Sequence, residues 1–322
     1  MLRVVDLCTV FETADGAVRA ADGVSFQVGE SEIVALVGES GCGKSATALS
    51  ILRLIDPPGR IASGSVLLRG RDLLALTERE MRAVRGREIA MVFQEPMTAL
   101  NPLMTVGRQV MEVFQVHQDL GRGAARRLAI EVFRMVGIPA PEERVDQYPH
   151  QLSGGMRQRV MIAMALACRP ALIIADEPTT ALDVTIQAQI LDLLDKLRRD
   201  LRVAILLITH DLAVVAETAQ SVVVMYAGQV AETAPVRPLF REPLHPYTQG
   251  LLASLPQPGT PPDQPLRAIR GAVPDLRRLP PWCRFADRCP KVFGRCTEEP
   301  VPAFVRPDGR SVRCFLYAEG GQ

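Results

Sequence analysis

Long apolar runs are missing from these 322 residues. The longest, Val160–Cys168, has nine residues, far short of the roughly 20 that a membrane-spanning helix needs. The start, Met1-Leu2-Arg3-Val4 with Asp6 close behind, lacks the basic head and long apolar core of a signal peptide. The expectation is a chain kept in the cytosol that works at a membrane only by docking onto other subunits. An excess of charge is missing too. Lys plus Arg number 37 against 36 Asp plus Glu, a net charge of +1, so no electrostatic case exists for wrapping nucleic acid. Coiled-coil heptads and internal repeats are also absent.

The hydrophobic fraction of 48% is enough to build one large or two modest domains. From Met1 to about Leu255 apolar runs alternate with helical patterns. Ile33–Val37, Ile89–Phe93, Ala171–Ala175, Val203–Ile208 and Val222–Tyr226 read as buried strands. Ser45–Leu54, Gly155–Cys168, Ile186–Arg199 and Asp211–Thr218 read as helices. Such alternation predicts an α/β fold around a largely parallel sheet. Between the second and third strands, Thr105–Val116 and Ala124–Val136 look helical, and Gly137-Ile138-Pro139 stops the second. The stretch from Glu95 to about Arg169 is therefore expected to be a helical subdomain inserted into the sheet domain. Sixteen of the 25 prolines fall between Pro235 and Pro307. That texture predicts a tail, 256–322, that cannot continue the layered sheet, with Pro256–Pro265 as a linker into a small separate module.

Gly38-Glu39-Ser40-Gly41-Cys42-Gly43-Lys44-Ser45 fits G-x-x-x-x-G-K-[ST], directly after a strand and before a helix whose first turn continues through Ala46. Glycines let successive N–H groups face one centre, and the helix start adds partial positive charge, so the loop suits a phosphate chain. Lys44 is expected to reach the β- and γ-phosphates of ATP and Ser45 to ligate Mg²⁺. Leu172–Glu177 reads as an apolar strand ending in two carboxylates. At the carboxyl edge of a parallel sheet, Asp176 can hold Mg²⁺ through water and Glu177 can orient and deprotonate an attacking water. Alone, such a strand end is commonly a solvated turn; with the glycine loop upstream, the catalytic reading takes precedence.

Leu152-Ser153-Gly154-Gly155-Met156-Arg157-Gln158-Arg159 resembles the signature of ATP-binding-cassette (ABC) ATPases, with Met156 where the family usually has Gln. The Ser153 hydroxyl and the Gly154 and Gly155 N–H groups carry that motif's chemistry, so the departure leaves it intact. The resemblance implies a P-loop NTPase of ABC type. It further implies that Gln94 is the Q-loop residue touching Mg²⁺ and the lytic water. Ala181-Leu182-Asp183 becomes the D-loop, and His210 the switch histidine at the γ-phosphate. Phe11 is either the aromatic that stacks on adenine or an ordinary core residue. In this family one subunit's signature completes another's phosphate site, which implies a second ATPase subunit as partner, identical or homologous.

Longer strings narrow the match. Tyr148-Pro149-His150-Gln151, Asp183-Val184-Thr185-Ile186-Gln187-Ala188, His245-Pro246-Tyr247-Thr248 and Cys283-Arg284-Phe285…Arg288-Cys289-Pro290 resemble the ATP-binding subunits of oligopeptide/dipeptide importers, a group that includes nickel importers. The implied partners are two membrane permease subunits, contacted by the segment after Gln94, and indirectly an extracytoplasmic solute-binding protein. No nucleic acid is implied: soluble ABC ATPases acting on DNA or ribosomes usually carry coiled coils or two cassettes, and this chain has neither. Cys283, Cys289, Cys296 and Cys314, spaced C-x₅-C-x₆-C-x₁₇-C, could as thiolates hold a [4Fe–4S] cluster or Zn²⁺. The absence of a C-x-x-C pair weighs against a zinc ribbon, and the resemblance favours the cluster.

Overall fold

The computed structural model describes residues 1–180, 182–255 and 268–318. Two compact units emerge, one comprising Val28–Ile33 with Ala75–Ile208, the other Leu2–Gln27, Val34–Leu74 and Thr209 onward.

In the first unit three strands lie parallel, Ile89–Val92 beside Leu172–Asp176 and that strand beside Ala204–Ile208. Leu172–Asp176 and Ala204–Ile208 are buried at every residue, which is why they read as continuous apolar runs. Between Val92 and Leu172 the chain is helical. Val106–Gln118 turns Val106, Val110, Met111 and Phe114 inward, and Arg122–Met135 turns Ala125, Ala129, Val132 and Phe133 inward, the spacing of one helix face. Gly154–Leu166 follows, and Val184–Leu201 buries Ile190, Leu191, Leu193, Leu194 and Leu197. No helix among the described residues is long and apolar enough to cross a membrane.

The second unit is mixed. Ile33–Val37 pairs parallel with Ser221–Tyr226, which pairs antiparallel with Gln229–Pro235. A separate four-stranded sheet orders Gly16–Val28, Leu2–Thr13, Gly59–Leu68 and Arg71–Asp72, with Leu2–Thr13 antiparallel to Gly59–Leu68. The expectation of a largely parallel sheet is thus corrected here. The antiparallel strands bury mainly one face, as the alternating exposure of Leu2–Val5 illustrates, so they carry no continuous apolar run.

The tail brings a second correction. Ser311–Val312 adds antiparallel to Gln229–Pro235, and Phe304–Val305 adds to Ser311–Val312, so the tail does extend the sheet. Its prolines end at Pro307, before the strand that needs ladder donors, and the chain there sits at a sheet edge. Ala286, Cys296, Val301 and Phe315 make a small cluster of their own. Phe285, however, packs among Tyr226, Tyr247 and His245 with ring centroids 5.2, 5.5 and 5.8 Å away. The expected linker Pro256–Pro265 lies outside the described residues.

His245 is buried beside Phe285, and its Nδ1 accepts the Tyr247 N–H at 3.0 Å. Burial pulls its imidazole down to about 4. The unfolded imidazole binds a proton near pH 6.5, so stability present above that pH is lost as pH falls through 4, by about 3 kcal/mol. Burial raises the nearby Glu232 carboxyl, which acts in the opposite direction above its ordinary range. Comparing wild type with His245→Asn isolates the histidine. Denaturant melts from pH 7 to 4 are expected to show a flatter profile for the variant; parallel profiles would refute the assignment.

Candidate nucleotide site

The strand Ile33–Val37 delivers the chain into the glycine loop. Gly38 has φ +154°, and a Cβ there would stand 2.2 Å from the Met225 carbonyl oxygen. Gly43 has φ +103°, and its Cβ would stand 1.9 Å from the Ala20 carbonyl oxygen. No other residue fits either place. The helix Lys44–Ile51 then begins with Gly43 at its cap and no side-chain cap. Its first N–H groups are left for another acceptor, in the geometry that binds anions. Ser40, Gly41 and Ser45 are exposed, Ala46 half-buried. The Lys44 side chain is buried, and its ammonium donates to the carbonyls of Gly38 at 2.8 Å and Glu39 at 3.1 Å. Burial pushes the Cys42 thiol up, against the lowering effect of Lys44. His210 is exposed and follows Thr209, whose N–H donates to the Leu36 carbonyl at 3.3 Å. Phe11 is half-buried on Leu2–Thr13, opposite Gly59, where a Cβ would meet its ring at 2.6 Å.

In the first unit Asp176 ends its strand buried, and Glu177 follows with φ +44°, a left-handed conformation that a non-glycine residue adopts at a cost. Its N–H donates to the Ile208 carbonyl at 2.9 Å. The Glu177 carboxylate accepts from Gln94 Nε2 at 3.1 Å and Thr180 Oγ1 at 2.9 Å. The structure thereby joins two residues, 83 positions apart, that sequence reasoning placed at one reaction. Ser153 caps Gly154–Leu166 through a long contact, its Oγ accepting the Met156 N–H at 3.4 Å. Gly154 is exposed, and a Cβ on Gly155 would meet Ile186 Cγ2 at 2.7 Å. Asp183 caps Val184–Leu201, its Oδ1 accepting the Ile186 N–H at 2.9 Å. Ala181 lies outside the described residues.

Sequence reasoning missed three side chains. Thr180 holds Glu177; Tyr247 and Arg288 hold Glu39. The latter two sat inside strings read only as marks of resemblance.

Cys283, Cys289, Cys296 and Cys314 line one small cavity with His245 and Phe285. Among the described residues, however, no three His, Cys, Asp or Glu side chains are disposed to hold a metal ion. Burial pushes the Cys283 and Cys314 thiols up to about 11 and raises that of Cys289. The arrangement does not support the expected [4Fe–4S] cluster.

Two family models match, "ABC transporter" over residues 21–180 and "Oligopeptide/dipeptide transporter, C-terminal region" over 231–296. The chain is 52% identical over 322 residues to the oligopeptide transport ATP-binding protein AppD of Bacillus subtilis, covering 100% of this chain and 98% of that one. It is 49% identical to the dipeptide transport ATP-binding protein DppD of Escherichia coli, covering 98% and 96%. Among solved structures it resembles the dimeric post-hydrolysis state of the ATP-binding cassette MJ0796 bound to ADP and Pi. The TM-score there is 0.66 at 29% identity, over 74% of this chain and 99% of that one. The cassette cbiO1 of Clostridium perfringens matches with TM-score 0.63 at 27% identity, over 75% and 90%.

Gly43→Ala forces both a positive φ and a backbone clash. It is expected to destabilise the protein by about 1–3 kcal/mol and to weaken MgATP binding by at least about tenfold, as measured by calorimetric titration. Wild-type affinity in the variant would show that the loop does not receive the phosphates.

Proposed function

The chain belongs to the ABC transporter family of ATP-binding proteins, and on that footing we propose that it hydrolyses MgATP to drive import of oligopeptides or dipeptides. The observation that carries the reading is the Glu177 carboxylate, held by Gln94 and Thr180 directly after a buried Asp176. The names of its relatives, peptide-transport ATP-binding proteins over nearly their whole length, supply the cargo.

Each residue takes a separable role. The N–H groups of Gly38 and of Ser40 to Ala46, with the Lys44 ammonium, bind the triphosphate; its oxygens replace the Gly38 and Glu39 carbonyls as acceptors for Lys44. Ser45, Gln94 and Asp176 would hold Mg²⁺, which supplies charge neutralisation on the phosphates. Glu177 accepts the proton of the attacking water, positioned by Gln94. His210 contacts the γ-phosphate, and Phe11 is the candidate for the adenine. Ser153, Gly154 and Gly155 bind the γ-phosphate held by a second ATPase subunit, with Asp183 beside that interface. ATP bound by two chains then favours the closed pair, and hydrolysis removes the preference. Coupled to two permease subunits at the cytoplasmic face of the membrane, that cycle moves solute. No step is routed through the tail cysteines.

Glu177→Gln keeps the shape of the side chain and removes its basicity. Hydrolysis is expected to fall by about 10²–10⁴-fold while ATP binding persists and ATP-loaded dimers accumulate on size-exclusion chromatography. Brisk turnover by this variant would remove Glu177 as the base. Co-purification with two permease subunits checks the transporter assignment; recovery with ribosomes or DNA instead would overturn it.

A further inference from the structure

The sequence between Cys283 and Cys289 carries two arginines, and both reach the phosphate loop or its support. The Arg288 fork meets the Glu39 carboxylate through two bonds, Nη1 to Oε2 at 2.7 Å and Nη2 to Oε1 at 3.0 Å. Glu39 is the second residue of the glycine loop. Arg288 is only 5% exposed. Its Nη1 also donates to the Tyr226 hydroxyl at 3.3 Å, its Nε donates to the Arg270 carbonyl at 3.0 Å, and its guanidinium lies over the Tyr226 ring. The Tyr247 hydroxyl accepts the Glu39 N–H at 2.9 Å. The Glu39 carbonyl, the third polar group of the same residue, accepts from Lys44 at 3.1 Å.

Arg284 works from behind the loop. It donates to the Ala227 carbonyl at 2.6 Å and pairs with Asp22. The Asp22 N–H donates to the Gly228 carbonyl at 2.8 Å, and the Gly228 N–H donates to the Cys42 carbonyl at 2.9 Å.

We propose that the tail positions the phosphate loop, with Arg288 acting through Glu39 to fix where the Lys44 ammonium waits; this rests on the reading of that loop as the ATP site. The physical need is plain. A loop with glycines at 38, 41 and 43 has unusual conformational freedom, and every ordering step left until binding subtracts from affinity. A bidentate pair with a buried arginine orders Glu39 in advance. It also neutralises a carboxylate beside the place where a triphosphate must come. Without Arg288, Glu39 becomes an uncompensated anion that opposes the nucleotide. Arg288 is thus a positioning residue and touches no reacting atom.

The test is a double-mutant cycle on the full chain, with binding of the Mg²⁺ complex of a non-hydrolysable ATP analogue followed by calorimetry and the melting temperature recorded for each protein. Arg288→Met is expected to weaken binding about tenfold. Adding Glu39→Gln is expected to restore most of the loss, because the stranded carboxylate is gone. In steady-state hydrolysis the single variant should raise KM for ATP while kcat stays within about twofold. Should Arg288→Met fail to fold, Arg288→Lys keeps the charge and loses the fork, and about a threefold loss is expected. Wild-type affinity in the Arg288 variants, or additive losses in the double variant, overturns the positioning role while leaving the ATP site standing. A wild-type chain that binds no nucleotide overturns the ATP reading and this inference with it.

Discussion

At the base of the glycine loop three stretches of main chain meet with no room for a side chain between them. Gly38 lies against the Met225 carbonyl and Gly43 against the Ala20 carbonyl. The Gly228 N–H closes the contact on the Cys42 carbonyl. A close-packed backbone junction of this kind has one arrangement, because any shift either collides or leaves buried polar groups unpaired. The direction of the Lys44 helix and the uncapped N–H groups of its first turn follow from it. So does the choice of residue: the φ values of +154° and +103° at those glycines suit no side chain.

The other carboxylate-bearing strand end uses the opposite device. Asp176 is held by a strand buried at every residue, while Glu177 leaves that strand in a left-handed conformation at φ +44°. Strain of this sort persists only where surrounding contacts outweigh it. Here they are the bond from the Glu177 N–H to Ile208 and the two donors, Gln94 and Thr180, on its carboxylate. Two donors on a single oxygen, Oε2, orient the carboxylate, as the proposed role of a general base would need.

How much of this the sequence disclosed depended on the period of each signal. Strands buried on both faces, such as Leu172–Asp176 and Ala204–Ile208, announce themselves as unbroken apolar runs, and each lay within one or two residues of its expectation. Leu2–Thr13 and Gly59–Leu68 do not, since most of their residues are exposed or only half-buried and a register shift between Val5 and Cys8 breaks the alternation. Local motifs were legible because their chemistry is contiguous. The Gln94–Glu177 contact required a motif order borrowed from resemblance, and the Arg288–Glu39 pair, 249 positions apart, left no local trace. The proline-rich tail misled for a related reason: Pro content averages over a segment, whereas two residues, Ser311 and Val312, suffice to extend a sheet edge.

Helix starts carry the last distinction. Val184–Leu201 and Leu212–Thr218 begin on Asp183 and Asp211, whose carboxylates accept N–H groups at 2.9 Å. Each thereby places a negative charge on the positive end of its helix and makes that end a poor site for another anion. Lys44–Ile51 begins on a glycine that cannot cap, and Gly154–Leu166 on a neutral serine whose cap contact is stretched to 3.4 Å. At Gly43 no side chain fits; an aspartate in place of Ser153 would strengthen that cap and repel phosphate. A neutral, loosely made cap at Ser153 and a glycine start at Gly43 are what the proposed triphosphate binding at those two ends would require, whereas Asp183 and Asp211 place a carboxylate on the ends of theirs.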